Sequence, residues 1–252
     1  MTGEKSLLDE ENKASDQLFP ELKEHLNYAN DTYNLAFKVQ QAIGGQALYG
    51  IPEVARAQFM ILMRGTDYLR CVQLLTIKGY PEQTGTLAAS LFELAHTALF
   101  FSHSPKKAKE WLEADSIEEE VPWGILGSNW RKCVKANCER LGDSALAETE
   151  YQVYRQLCWM KHSLPKMQDM RVDGDGVSLI FGPYTDERAI NHAWFALEHA
   201  GRLMELMISS LLDEFRTEET TLELREITEK RRALRQKAID RFGQENPFVS
   251  EA

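Results

Sequence analysis

PEQTGTLAASLFELAHTALFFSH, residues 81–103, is the stretch on which the fold turns. Its apolar residues run nearly all round a helix, Pro81 suits the first turn, and Gly79 lies just ahead of it. A helix with no polar face must be buried on most sides, so this one is expected at the centre of an α-helical body. Glu93 and His96 inside it, together with its length, make it a poor bilayer span, and no membrane segment is expected. Toward the N-terminus, Pro52 and Gly79 bracket a second helix over about 52–78. Leu22, Leu26, Ala29, Tyr33, Ala36 and Phe37 keep helical spacing in a first helix over 18–43, which Gly44-Gly45 ends.

In the other direction, Ser104-Pro105 closes the central helix, and a short basic-faced helix follows over 106–114. Residues 115–127, with a proline, two glycines and three consecutive acids, read as a loop. Helices are expected at 128–141 and 144–164. MRVDGDGVSLIFGPY, residues 170–184, sets a DGDG turn between β-prone runs, which predicts one small β-hairpin near 170–182. Thr185 or Asp186 caps the next helix, over 186–215. A charged helix over 218–242 carries only a thin apolar stripe of Leu224, Ile227, Leu234 and Ala238. The expected organisation is a mobile tail over 1–17, a helical domain over 18–215, and a charged helix and tail over 216–252.

The 252 residues are 43% hydrophobic and 27% charged, the composition of a globular chain. A net charge of -10 opposes unspecific adhesion to nucleic acid or anionic membrane but leaves room for a local basic site. The polar, acidic N-terminus does not read as a secretory signal, and the four cysteines are scattered without a CxxC pair. A cytoplasmic location with reduced thiols is expected.

The chemistry-bearing candidates are few. Arg155 and His162 are seven apart, two helical turns, so they share one face and sit about 10 Å apart along the axis. Arg grips phosphate with a planar fork, and His moves protons near neutral pH. The pair suits metal-free RNA cleavage, in which a 2′-hydroxyl attacks the neighbouring phosphate. Pro165 places His162 in the last turn, where the helix dipole favours imidazolium and hence an acid role. Helical side chains lean toward the N-terminus, so Arg155 leans away from His162, and a shared phosphate needs a kink or a second subunit. The competing reading makes Arg155 a surface ion-pair residue and His162 a helix-end cap.

Glu93 and His96 are spaced ExxH, one part of a di-iron site, but no second ExxH exists in the chain. The expected role is structural, with Glu93 satisfied by Arg64 or Arg70 of the preceding helix. His192 and His199 read as helix-face histidines, and Cys133 with Cys138 lacks the histidines of a zinc set. No metal and no cofactor is expected, and no P-loop, dinucleotide-binding or nucleophile-elbow motif is present. Arg131, Lys132 and Lys135, beside Trp130, are a candidate contact to a nucleic-acid backbone. A solvated helix face is the favoured explanation for them and for the basic run over 230–237, since acids crowd both.

RCVQLLTIKGYPEQTGTLAASLFELAHTALFF over 70–101, YRQLCWMKHSLP over 154–165 and SLIFGP over 178–183 resemble an uncharacterised bacterial all-helical family with an "RSLFE"-type helix. That family is similar to the HEPN helical proteins, which include abortive-infection and toxin-type ribonucleases. The likeness covers about 50–212. It implies a HEPN-like bundle, a homodimer, RNA as substrate, and a role in stress or phage defence. The family's Arg-x4–6-His motif maps onto Arg155 and His162, with Gln156 as the polar residue after the arginine. One departure is Ala89, which stands where the family's helix carries Arg while Glu93 is retained. The alternative is a non-catalytic helical protein that recruits a protein partner through 218–242.

Overall fold

The computed structural model describes residues 6–44, 50–114, 130–161 and 182–243. Eight helices are found among them: α1 (Leu7–Gly44), α2 (Glu53–Ile77), α3 (Pro81–Ser102), α4 (Pro105–Leu112), α5 (Trp130–Arg140), α6 (Leu146–Lys161), α7 (Glu187–Phe215) and α8 (Glu218–Phe242). The mainly α class expected from the sequence holds, and there is no strand among the described residues. The hairpin expected near 170–182 falls, but for Gly182, outside the described residues.

Helices α1, α2, α3 and α7 pack as a four-helix bundle around a shared apolar core, with α7 touching the other three. Helix α3 is central, as its all-round apolar surface predicts. It faces α2 and α7 on one side and α5 and α6 on the other, burying Leu91, Phe92, Ala95, Ala98 and Phe101. Helix α4 closes one end of α2, and α8 lies across α1 and α7.

Helix α1 starts at Leu7, well ahead of the expected start at Leu18. The Ser6 hydroxyl accepts the Asp9 N–H at 3.2 Å and the Asp9 carboxylate accepts the Ser6 N–H at 3.3 Å, a reciprocal cap that starts the helix there. Residues 7–17, expected in a mobile tail, are therefore helical and attached. Ala14 is buried, and the Tyr80 hydroxyl donates to Glu11 at 2.9 Å. Pro20, a residue that favours first turns, lies inside the helix.

Asp186 caps α7 by accepting the Ala189 N–H at 2.8 Å, and Thr217 with Thr220 forms a reciprocal cap on α8. Gly79 ends α2 with φ 81, a left-handed conformation, and its carbonyl accepts the Tyr184 N–H at 3.1 Å. This turn seats the segment that leads into α7.

The charged helix α8 is docked rather than free. Ile227 and Leu234 are buried, and Arg231 and Thr228 each bond the Glu205 carboxylate at 2.9 Å, as does the buried Tyr28 hydroxyl at 2.6 Å. Lys38 with Glu223, Asp31 with Lys230, and Glu21 with Arg241 close the outer seam onto α1.

Candidate functional site

Helices α5 and α6 form a layer over α3, and α6 has two chemically different sides. Its inner stripe carries Glu150, Tyr154, Leu157 and Lys161, spaced to lie along one face. Leu157 is fully buried, and the polar members are each satisfied across the interface. The Tyr154 hydroxyl donates to Glu93 at 2.9 Å and Lys161 Nζ bonds the same carboxylate oxygen at 3.1 Å. Glu93 is thus partnered by α6, not by Arg64 or Arg70 of α2 as the sequence suggests. Arg64 and Arg70 are exposed, the first lying over the Tyr68 ring and the second bonded to Gln73. Ala89 is fully buried one turn before Glu93, so the cation that this carboxylate requires comes from Lys161.

Deeper in the same interface, Arg202 of α7 grips Glu150 with two bonds of 2.6 and 2.8 Å. Burial works to raise the Glu150 carboxyl, but the adjacent His96 and Arg202 outweigh it and hold the group at about 2. The bidentate guanidinium is the stronger of the two partners, since His96 Nε2 stands 3.9 Å away and burial lowers the pKa of that imidazole. Asn137 of α5 donates to the His96 carbonyl at 2.9 Å and to its Nδ1 at 3.1 Å, and accepts from His103 Nε2 at 2.8 Å. His96 thus lies in a buried hydrogen-bond network with Asn137 and His103 that sequence reasoning did not assemble.

The outer face of α6 carries Glu148, Tyr151, Gln152, Arg155 and Trp159, one to two turns apart. Arg131 of α5 bonds Glu148 at 2.8 Å, Gln152 donates to Glu148 at 2.8 Å, and Arg155 donates to Gln152 at 3.2 Å. This run joins two candidates that the sequence left apart, Arg131 and Arg155, on one surface. Arg155 is exposed, and the Arg131 guanidinium lies 5.6 Å above the Tyr151 ring. Lys135 pairs with Glu139 at 3.7 Å, and Lys132 is exposed about one turn before Lys135 on α5. His162 lies outside the described residues, immediately after the last residue of α6.

The other histidines are committed to the interior. His25 stacks on Trp194 and burial pushes it down to about 4, His192 is likewise pushed to about 4, and His199 packs against Phe195 fully desolvated. Burial keeps the cysteines of this layer protonated, with Cys133 pushed up to about 12 and Cys158 also raised, which removes them as nucleophiles. Among the described residues no group of three or more His, Cys, Asp or Glu could hold a metal ion. No described helix is long and apolar enough to cross a membrane. A groove of about 460 Å³ between α1 and α8 is lined by Asp31, Lys38, Glu223 and Lys230, whose charges already pair across it.

Sequence reasoning missed Glu150, Tyr154, Lys161, Asn137 and Arg202. A signal existed for the first three, since polar residues at positions 150, 154 and 161 flank Leu157 on one helical stripe. Arg202 lies between Glu198 and Glu205 of its own helix, so the sequence offers nearer carboxylates than the Glu150 that it bonds. Comparison with protein-family models, curated proteins and solved structures gives no match for this chain.

Proposed function

We propose that this chain is a HEPN-like, metal-independent endoribonuclease that works as a homodimer in stress or phage defence. In this reading Arg155 holds the scissile phosphate and stabilises the charge that builds on it when the 2′-hydroxyl attacks. The new bond joins O2′ to phosphorus and the bond to O5′ breaks. His162 protonates the leaving O5′, while the 2′-hydroxyl proton passes to solvent. The products are a 2′,3′-cyclic phosphate and a 5′-hydroxyl.

The observation that carries this reading is the state of Arg155. Its guanidinium is exposed, and its hydrogen bond among the described residues goes to the neutral amide of Gln152. Arg202 and Lys161, by contrast, are bonded to carboxylates. Helices α5 and α6 also carry six Lys and Arg against three Glu, a local excess of positive charge on a chain of net charge -10. Five of the six histidines are held by burial or by Asn137, which leaves the proton-transfer role to His162.

The competing reading, recruitment of a partner through 218–242, needs the apolar residues of that helix. Ile227 and Leu234 are already buried against the body, so that reading has less to work with.

The test is cleavage of purified RNA in EDTA. Arg155→Ala and His162→Ala are each expected to slow cleavage by about 100-fold or more with helical content unchanged. Arg155→Lys should recover only part of the loss, because a point charge lacks the planar fork. Equal cleavage by all three variants would remove Arg155 and His162 from the mechanism.

A further inference from the structure

Helix α8 is held in two unlike ways along its length. Up to Leu234 it is anchored in the interior, where Ile227 and Leu234 are buried and Arg231 bonds the buried Glu205 at 2.9 Å. From Arg235 to Phe242, about two turns, none of its residues is buried, and Ala238, Ile239 and Phe242 are half-buried. Ion pairs hold this last part: Lys237 with Glu24, and Arg241 with both Glu21 and Glu187. All five residues are exposed, and exposed pairs are individually weak and screened by salt. What the two turns cover is nevertheless apolar. Leu18, Leu22, Ile190, Ala193 and Trp194 form a buried cluster apart from the main core, and Ala238 and Phe242 pack on it. The Phe242 ring meets Trp194 edge-on at 5.3 Å, and the Arg241 guanidinium lies 5.2 Å over the same indole. Stacked on Trp194 at 4.3 Å, His25 is buried with no hydrogen-bond partner for either ring nitrogen among the described residues.

We propose that residues 235–242 are a strap, closed by ion pairs, that lifts from α1 and α7 about Leu234 while the first part of α8 stays anchored. Lifting uncovers the recess of Leu18, Leu22, Ile190 and Trp194. Opposing contributions set the balance. The half-buried Ala238 and Phe242 favour closure by the apolar area they cover. The stranded nitrogens of His25 oppose it, because opening returns them to water. The pairs of Lys237 and Arg241 then decide the position, so ionic strength controls the cover. A released segment of two turns is too short to stay helical alone, and it unwinds as it lifts. Such local opening is the ordinary behaviour of the least anchored part of a fold, here placed over an apolar surface. The inference does not depend on the ribonuclease reading, since none of these residues takes part in that chemistry.

The test compares the full chain in KCl at about 0.1 M and about 1 M, a range over which the Debye length falls from about 10 Å to about 3 Å. Amide hydrogen exchange read by mass spectrometry should accelerate about three-fold or more over 235–242, relative to an unchanged 220–231. Acrylamide, an uncharged quencher, should reach Trp194 about two-fold more effectively in high salt, read as the difference between the chain and its Trp194→Phe variant. Arg241→Glu sets a third carboxylate beside Glu21 and Glu187, so it should open the strap already at about 0.1 M. Adding Glu21→Lys should close it again in part, which separates opening from misfolding. Exchange over 235–242 that ignores salt, equal acceleration along all of 218–242, or unchanged Trp194 quenching in Arg241→Glu would overturn the strap.

Discussion

Arg202 on α7 and Glu150 on α6 form a largely buried bidentate pair, and their geometry sets what each is worth. A bidentate pair withdrawn from water is neutral to modestly favourable as a pair, but removing one member strands the other. Glu150→Ala is therefore expected to cost about 3 kcal/mol or more in urea unfolding. A loss below about 1 kcal/mol would mean that water reaches Arg202. Glu198 is the opposite case. It is buried, its Oε1 has no hydrogen-bond partner, and Arg235 stands at 4.0 Å. Burial raises its pKa despite the surrounding arginines, so Glu198→Gln is expected to raise the thermal midpoint at pH 7, and a lower midpoint would contradict this. Neither partner set was legible in the sequence. A lone Arg or Glu in an apolar helix announces that it needs a counter-charge, but only packing says which helix supplies it. The same gap explains why Glu93 was expected to meet Arg64 or Arg70, when the docking of α6 gives it Lys161 and Tyr154.

At the scale of elements, the seat of α6 on α3 is what brings the candidate residues together. Gly85 permits the close approach, since a Cβ there would lie 2.1 Å from Met160 Sδ and 2.7 Å from Met160 Cβ. Gly85→Ala gains up to about 1 kcal/mol in helix propensity but forces the helices apart, and a net loss of about 1–2 kcal/mol is expected. Pairing it with Met160→Ala should return part of that loss in the same unfolding measurement. Additive losses would show that the two residues do not oppose each other. Existence and type of the helices were well marked in the sequence, by the apolar run of α3 behind Pro81, the capping Asp186 of α7 and the helical charge spacing of α8. The start of α1 was misjudged because its cap, Ser6 with Asp9, precedes a charged stretch with few apolar residues. The docking of α8 was only half legible, since its stripe is thin and its hold on the body comes largely from Glu205 and the ion pairs with α1.

For the whole molecule, four buried histidines make stability depend on pH. His25 and His192 are pushed to about 4 and His96 and His199 are also depressed, all by burial. An unfolded histidine takes up its proton near pH 6.5, so the unfolded chain binds more protons than the native one between that value and the depressed native ones. Their contribution is complete above about pH 6.5 and is lost progressively as pH falls toward 4, with the loss of the Glu150 pairing added below about 4.5. Glu198 works the other way but is a single group. The thermal midpoint should therefore fall steadily from pH 7 to pH 4.5, and a flat profile would contradict the burial of these rings. The most direct test of the functional account is the chemistry of the RNA ends. Incubating unmodified single-stranded RNA with the purified chain in EDTA should yield fragments ending in 2′,3′-cyclic phosphate and 5′-hydroxyl by mass spectrometry, and His162→Ala should slow their formation by about 100-fold or more. Intact RNA, or the same fragments formed at an undiminished rate by the His162 variant, would contradict it.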